Sequence, residues 1–277
     1  MATDFIPHST PPMIERVVIG PDSIPALVVQ PQGALSGHRL PAVLIQHGYG
    51  AEKSDLLPLA SELVSRGFVT LLPDAWGHGE RFPASGPNWM TQISADYFME
   101  VVRHTVGDMR LAFDYLRAIP SVDAESALVG GFSMGAIAAL VFGTEDERVA
   151  GIISASGSPL PDLLPVRLFG SAAPSAATEE WAHAHDAAAR ISALAPKPLL
   201  IQHGQADDMV PVTGALRLYE AAQPLYEARP DHLKLMLYPH THLVTEQEIR
   251  DAVNWAARLF SPNGASPSGA DDSPRDD

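Results

Sequence analysis

A serine placed between two glycines is the feature that most constrains the fold of this chain. Residues 131–135 read Gly-Phe-Ser-Met-Gly and match the pattern G-x-S-x-G. The apolar run from Ser126 to Gly130 is typical of a strand, and Ala136 to Phe142 have the composition of a helix start. A serine on a sharp turn between strand and helix has a strained backbone, and there is no room for a side chain at the positions two before and two after it. We therefore predict that Ser133 is a nucleophile, and the structural alternative is a glycine-rich strand end with an incidental serine.

Apolar runs of strand type alternate with amphipathic segments along most of the chain. The segments Met13 to Ile19 and Ile24 to Gln30 flank the turn formers Gly20-Pro21-Asp22-Ser23 and predict an antiparallel hairpin at a sheet edge. Further strands are predicted at 41–46, 68–72, 126–130, 149–155, 198–202 and 233–238, and helices at 53–66, 97–118, 136–142, 179–194, 213–223 and 246–260. This alternation predicts a mostly parallel sheet of eight strands with helices on both faces.

One α/β domain is expected over residues 1–260. A proline-rich stretch at about 157–180 predicts a short insertion near the site, a small lid at most. The long loop from Ala75 to Trp89 is rich in Gly and Pro, and loops of that length are often functional. Residues 261–277 consist mainly of Ser, Pro, Gly and Asp, which predicts a disordered acidic tail.

Composition and charge exclude several classes of function. A net charge of −15 without a basic cluster argues against a nucleic-acid partner, and the absence of cysteine excludes a thiolate nucleophile or a cysteine metal site. No apolar run approaches the roughly 18 residues of a membrane span. The first residues lack a secretory signal pattern, so a cytoplasmic location is expected. His183 and His185 do not share a helix face, and no P-loop or dinucleotide fingerprint occurs, so we predict neither metal nor cofactor.

Two loops late in the chain carry candidate partners for Ser133. A serine nucleophile needs a base, and the base needs a carboxylate to orient it. The predicted strand at 198–202 is followed by residues 203–211, His-Gly-Gln-Ala-Asp-Asp-Met-Val-Pro, and the last strand by residues 239–242, Pro-His-Thr-His. The letters Leu-Ile-Gln-His-Gly occur twice, at 44–48 and at 200–204. This echo predicts two parallel strands with the same kind of exit at one sheet edge.

With these motifs the chain resembles the α/β-hydrolase superfamily over residues 40–260, nearest to its dienelactone-hydrolase-like and prolyl-oligopeptidase-like serine esterases. The resemblance rests on residues 47–50, 131–135, 203–211 and 240–242. It implies that the acid is Asp207, with the neighbouring Asp208 as the alternative. It also implies a base in the loop before the last helix, where His242 is preferred and His240 is the alternative that would line the pocket.

The predicted chemistry also requires donors for the oxyanion of acyl transfer. The backbone N–H of Met134 is one, because it follows the nucleophile, and the resemblance implies that the second is the N–H of Tyr49. His47 and His203 precede glycines at strand ends, where we expect them to bond loop backbone. His47, Trp76, His78 and His240 are the candidates for a substrate pocket.

The resemblance implies a cofactor-free serine carboxylesterase. The compact inserted segments, without a large lid, predict short- to medium-chain esters, and the expected partner is a small-molecule ester. A peptidase, an amidase or a lactone hydrolase of the same fold is the alternative among enzymes. A ligand-binding protein without activity is the alternative outside them. Oligomeric state and the physiological ester do not follow from the sequence.

Overall fold

The computed structural model describes residues 11–32, 39–82, 93–163 and 173–260. Its centre is one sheet of eight strands in the order β1-β2-β4-β3-β5-β6-β7-β8. The strands are β1 (Met13–Ile19), β2 (Ile24–Gln30), β3 (Leu40–Gln46), β4 (Val69–Pro73), β5 (Val122–Phe132), β6 (Ile152–Ala155), β7 (Leu199–Gly204) and β8 (Leu233–Tyr238). β2 pairs antiparallel with β1 and β4, and all other neighbours are parallel. The predicted parallel sheet with an antiparallel hairpin at its edge is confirmed.

Helices cover both faces of this sheet. They are α1 (Leu57–Ser65), α2 (Ala95–Ala118), α3 (Met134–Glu145), α4 (Ala176–Ala184), α5 (Ile191–Leu194), α6 (Val212–Ala222) and α7 (Glu246–Phe260). The larger apolar core lies on the face of α2 and α3, where Leu44, Phe113 and Phe142 are buried. A second core lies under α1 and α7 and contains Ile45 and Leu200. The parallel strands are apolar on both sides because both faces are covered.

The single helix predicted over 179–194 is wrong, since the structure has α4 and α5 separated by six residues between Ala184 and Ile191. Asp186 explains the interruption, because its carboxylate accepts the N–H of Ala188 at 3.0 Å and so competes with the helical pattern. Residues 164–172 of the predicted insertion and the whole tail 261–277 lie outside the described residues, as does Trp89.

The sheet brings the candidate residues to one edge. β3, β5, β7 and β8 are mutually parallel through the sheet, so their carboxyl ends point the same way. The loops with Tyr49, Ser133, Asp207 and His242 follow these four strands. In open α/β sheets this is the edge at which ligands bind.

Candidate active site

Ser133 stands on the turn between β5 and α3 with a strained backbone. Its φ is 53° and its ψ is −119°, a backbone conformation that residues other than glycine rarely adopt. A Cβ added to Gly131 would lie 2.5 Å from the carbonyl oxygen of Gln46 and from the backbone of Gly135. The glycines are needed because the strand and the helix touch through their backbones at this point.

His242 lies between Ser133 and Asp207 and contacts both. Its Nε2 is 2.9 Å from Ser133 Oγ, and its Nδ1 is 2.7 Å from Asp207 Oδ2. A carboxylate can only accept, so Nδ1 carries the proton and Nε2 accepts from the serine hydroxyl. The Asp207 side chain is fully buried and that of His242 is nearly so. A hydroxyl, an imidazole and a carboxylate are thus aligned in the order that proton transfer requires.

Asp207 is surrounded by donors. Its Oδ1 accepts the N–H groups of Met209 and Val210 at 3.0 and 2.8 Å. Its Oδ2 faces His242 and, at 3.4 Å, His203 Nε2. Burial by itself would raise the pKa of Asp207, but the hydrogen bonds from the two histidines and from Val210 lower it far below its usual range. The carboxylate is therefore charged at any pH at which the protein would work.

The two alternative residues occupy different positions. Asp208 is exposed to solvent. His240 turns its ring away from Ser133, with Nδ1 bonded to Thr241 O at 2.9 Å and Nε2 3.0 Å from Glu248 Oε2. Its backbone oxygen accepts the N–H of Ala206 at 3.0 Å, which ties the histidine loop to the acid loop. The structure thus places His242, and not His240, against the serine.

His47 fixes the loop that carries Tyr49. Its Nε2 accepts the N–H of Ala75 at 3.0 Å, so the ring proton is on Nδ1, which donates to Gly48 O at 2.8 Å. Burial lowers the pKa of His47 to about 4, and the ring is neutral. Because a trans peptide is planar, holding the Gly48 carbonyl also fixes the direction of the Tyr49 N–H.

Met134 is the first residue of α3 and is buried. Backbone N–H groups in the first turn of a helix have no acceptor within the helix, and they carry the positive end of its dipole. The turn at Ser133 thus provides both a hydroxyl and an anion-binding helix end.

His78 and Trp76 belong to the loop after β4. The buried ring of His78 makes an edge contact with Tyr49 at 4.9 Å, and its Nδ1 donates to Trp76 O at 2.8 Å. Trp76 stacks on His104 of α2 with ring centroids 4.5 Å apart. His78 therefore supports the Tyr49 loop, while Trp76 is held by packing against α2.

Sequence reasoning missed a buried ion pair behind this loop. Lys53 Nζ lies 2.6 Å from Asp74 Oδ2 and 2.6 Å from Glu80 Oε1. Burial would lower the pKa of Lys53, but its hydrogen bonds to Asp74 and Glu80 raise it, so the Lys53 ammonium is charged. The signal was a lysine next to an apolar helix and an aspartate at the end of a buried strand, Pro73-Asp74.

Within the described ranges, no group of three or more His, Asp or Glu side chains is placed to hold a metal ion. None of the helices in these ranges is both long enough and apolar enough to cross a membrane.

A parallel sheet with a strained serine at the end of its central strand, followed along the chain by an acid loop and a histidine loop, defines an α/β-hydrolase. The Dienelactone hydrolase family matches residues 24–259. The chain belongs to this family, and it is a carboxylic ester hydrolase. The resemblance inferred from the motifs is confirmed.

Three known proteins illustrate the relationship. Esterase YjfP of Escherichia coli (strain K12) is 28% identical over 214 residues, which cover 72% of this chain and 80% of YjfP. The structure of TT1662 from Thermus thermophilus has a TM-score of 0.73 and 23% identity, and covers 89% of this chain and 97% of TT1662. The acylaminoacyl peptidase of Pyrococcus horikoshii has a TM-score of 0.66 and 14% identity, and the match covers 91% of this chain but 40% of the peptidase.

Proposed function

We propose that this hydrolase is a serine carboxylesterase that cleaves short- to medium-chain esters through an acyl-enzyme. The observation that carries the proposal is the alignment of Ser133 Oγ, the His242 ring and Asp207 Oδ2, with contacts of 2.9 and 2.7 Å. Esterase YjfP supports the ester class, since it is related over most of both chains.

In the first half of the reaction, Ser133 Oγ attacks the ester carbonyl carbon. Its proton passes to His242 Nε2, and the buried Asp207 carboxylate stabilises the imidazolium that forms. The carbonyl oxygen becomes an oxyanion, for which we assign the N–H groups of Met134 and Tyr49 as donors. His242 then gives the proton to the leaving alcohol, and the acyl group stays on Ser133.

In the second half, water attacks the acyl-enzyme. His242 takes a proton from the water, the tetrahedral intermediate uses the same two donors, and Ser133 leaves with the proton returned by His242. No step needs a redox partner, because the acyl group is only transferred from one oxygen atom to another.

A series of p-nitrophenyl esters from acetate to palmitate tests this function. We expect wild-type turnover of the shorter esters, and a loss of about 10⁴-fold or more in kcat for Ser133→Ala and for His242→Ala. His240→Ala is the matched control, because it removes a histidine of the same loop that faces Glu248. Equal losses in His240→Ala and His242→Ala would contradict the assignment of the base, and a preference for palmitate would contradict the chain length.

A serine-reactive phosphonate separates an enzyme from a ligand-binding protein. We expect labelling of the wild type that disappears in Ser133→Ala, whereas a folded wild type that is not labelled would contradict nucleophilic catalysis. Lactones belong in the same assay, since the family is named for one. Peptide cleavage has less support, because the similarity covers 40% of the acylaminoacyl peptidase.

A further inference from the structure

A groove runs between α1 and α7 over the face of the sheet that they cover. It encloses a cavity of about 410 Å³. Leu59 lines it from α1 and Leu56 from the turn that precedes α1, Ile249 and Ala252 line it from α7, and its floor includes Ile45 and Ile153. Cavities of roughly 300–1,000 Å³ with mainly apolar walls are typical of small-molecule sites. The groove can therefore hold an apolar chain.

One end of the groove adjoins the catalytic residues. Gly48, Phe132 and Val244 line this end, next to the Tyr49 loop, the nucleophile and the histidine loop. A Cβ on Gly48 would lie 3.5 Å from Ser133 Cβ, and the Phe132 ring is centred 4.9 Å from the His242 ring. Gly48 and Phe132 thus line the groove and adjoin Ser133, and the Phe132 ring contacts His242, while neither Ser133 nor His242 lines the groove itself.

A buried carboxylate lies at the same end. Glu248 is 1% exposed and lines the groove. Its Oε2 accepts the N–H and the hydroxyl of Thr245 at 2.7 and 3.0 Å and lies 3.0 Å from His240 Nε2. Its Oε1 is equally buried, and no described residue donates to it. A buried carboxylate oxygen without a donor is costly, so a ligand that donates a hydrogen bond here would be favoured.

We propose that the groove binds the acyl chain of the ester and that Glu248 Oε1 accepts a hydrogen bond from a hydroxyl close to the ester carbonyl. The substrate class is then an ester of a hydroxy acid with an apolar tail. This proposal rests on the serine esterase function proposed above. The acyl side is assigned because Gly48 and Phe132, which line the groove, adjoin Ser133, whereas the leaving alcohol must stay beside His242 Nε2, and His242 does not line the groove. The hydroxyl is placed near the carbonyl because Glu248 contacts the histidine loop.

Four esters test the site in a pH-stat assay: ethyl acetate, ethyl octanoate, ethyl 3-hydroxyoctanoate and octyl acetate. For the wild type we expect kcat/KM to be about tenfold higher with ethyl 3-hydroxyoctanoate than with ethyl octanoate, as one hydrogen bond to a buried charge supplies. Ala252→Phe fills the groove and should lower kcat/KM for both eight-carbon acyl esters, with ethyl acetate close to the wild-type value. Leu59→Trp narrows the groove from the α1 side and replaces Ala252→Phe in this test if that variant does not fold.

Glu248→Gln tests the polar end. Thr245 keeps an oxygen acceptor, so the amide presents N–H to the groove. The substrate hydroxyl can then only accept a neutral hydrogen bond there, and the preference for the hydroxyl ester should fall several-fold. Glu246→Gln is the matched control, since Glu246 is exposed in the same turn of α7.

Unchanged chain-length preference in the folded groove variants would overturn the acyl site. So would a loss confined to octyl acetate, which would place the alcohol in the groove. A wild type without preference for the hydroxyl ester would overturn the role of Glu248. In all three cases ethyl acetate is still hydrolysed, whereas loss of every ester activity would overturn the proposed function and this site with it.

Discussion

The two copies of Leu-Ile-Gln-His-Gly lie at the carboxyl ends of β3 and β7, on either side of β5, the strand that leads to Ser133. Corresponding side chains of the two copies nevertheless point to opposite faces of the sheet. Leu44 is buried on the α2 and α3 face, whereas its counterpart Leu200 lies under α1 and α7. Ile45 and Ile201 are exchanged in the same way. Identical letters therefore do not have identical surroundings.

Strand register causes this exchange. The pairing across the sheet aligns Leu44 with Val129, Val129 with Ile152 and Ile152 with Leu199. The register of the second copy is thus shifted by one residue relative to the first, because Leu44 is aligned with Leu199 and not with Leu200. Successive side chains of a strand point to opposite faces, so a shift of one residue exchanges every side chain between the faces.

The two histidines consequently stabilise different loops with different ring atoms. His47 donates from Nδ1 to the adjacent Gly48 O, while His203 uses Nε2 to reach Val210 O at 2.8 Å and also faces Asp207. The first copy supports the proposed oxyanion loop and the second supports the proposed acid loop. Five predictions break or sharpen this comparison.

The largest loss of activity is expected from removing the charge of Asp207, which His203 of the second copy contacts. Asp207→Asn removes the carboxylate that orients His242 and should lower kcat by about 10⁴-fold, with an unchanged fold. Steady-state kinetics on p-nitrophenyl acetate and circular dichroism measure the two quantities. Asp208→Asn changes the exposed neighbour and should keep wild-type kinetics. A comparable loss in both variants would show that the loop, and not the charge of Asp207, matters.

In the first copy, His47→Leu removes the donor to Gly48 O and frees the peptide that carries the Tyr49 N–H. The expected loss in kcat is roughly 10²–10³-fold, that of one oxyanion donor, with little change in KM. Affinity for a boronic acid that mimics the tetrahedral intermediate should fall by the same factor.

Matched amides then distinguish the two rings. Asparagine places its N–H near the position of His Nδ1 and glutamine near that of Nε2. His47→Asn should therefore restore more activity than His47→Gln, and His203→Gln more than His203→Asn. The same ranking at both positions would contradict the different roles of the two rings.

The two copies should also lose stability in different pH ranges. Burial lowers the pKa of His47 from 6.5 to about 4. The unfolded chain takes up this proton first, so the contribution is fully present above pH 6.5 and is lost as the pH falls toward 4, at most roughly 3 kcal/mol. The pKa of Asp207 is lowered instead from 3.8, and its contribution is lost only below that value.

Urea unfolding between pH 4 and pH 8 measures this dependence. The slope between pH 4 and 6.5 should be smaller in His47→Asn than in the wild type. Burial also lowers the pKa of His78, which therefore contributes to the slope in both proteins. The difference between the two slopes isolates the contribution of His47. Equal slopes would show that His47 is not the neutral buried group.

The smallest effect is expected at the two glycines. A Cβ on Gly204 would meet the backbone oxygens of His240 and Thr241 at 2.5 Å, whereas the nearest atom to a Cβ on Gly48 is Phe132 Cδ1 at 3.2 Å. Backbone cannot move as easily as a ring. Gly204→Ala should therefore destabilise the fold by about 1–3 kcal/mol and Gly48→Ala by less, measured as urea midpoints. The reverse order would contradict the tighter packing of the second copy.

Most of the fold follows from local patterns. The hairpin at 13–30, β8 and α7 have the predicted bounds, because turn formers and apolar periodicity mark them directly. The helix predicted at 179–194 is wrong because a side-chain bond of Asp186 interrupts it, which an alanine-rich composition does not reveal.

For the candidate site, the sequence determined which loops carry reactive side chains and that they share one edge. The placement of Ser133, Asp207 and His242 on those loops agrees with the prediction, while their catalytic roles stay a prediction. Lys53 and Asp74 were missed because they pair across 21 positions of the chain, and Glu248 because its burial depends on the packing of α7 against the sheet.

The sequence by itself determined the order of strands and helices and the serine turn, since these depend on neighbours along the chain. Only the tertiary structure decided which of His240 and His242 faces Ser133, which face of the sheet each copy of Leu-Ile-Gln-His-Gly presents, and where the groove beside Glu248 lies. These outcomes depend on strand register and on packing between distant elements. A repeated five-residue segment does not encode them, because register is set jointly by the strands on both sides.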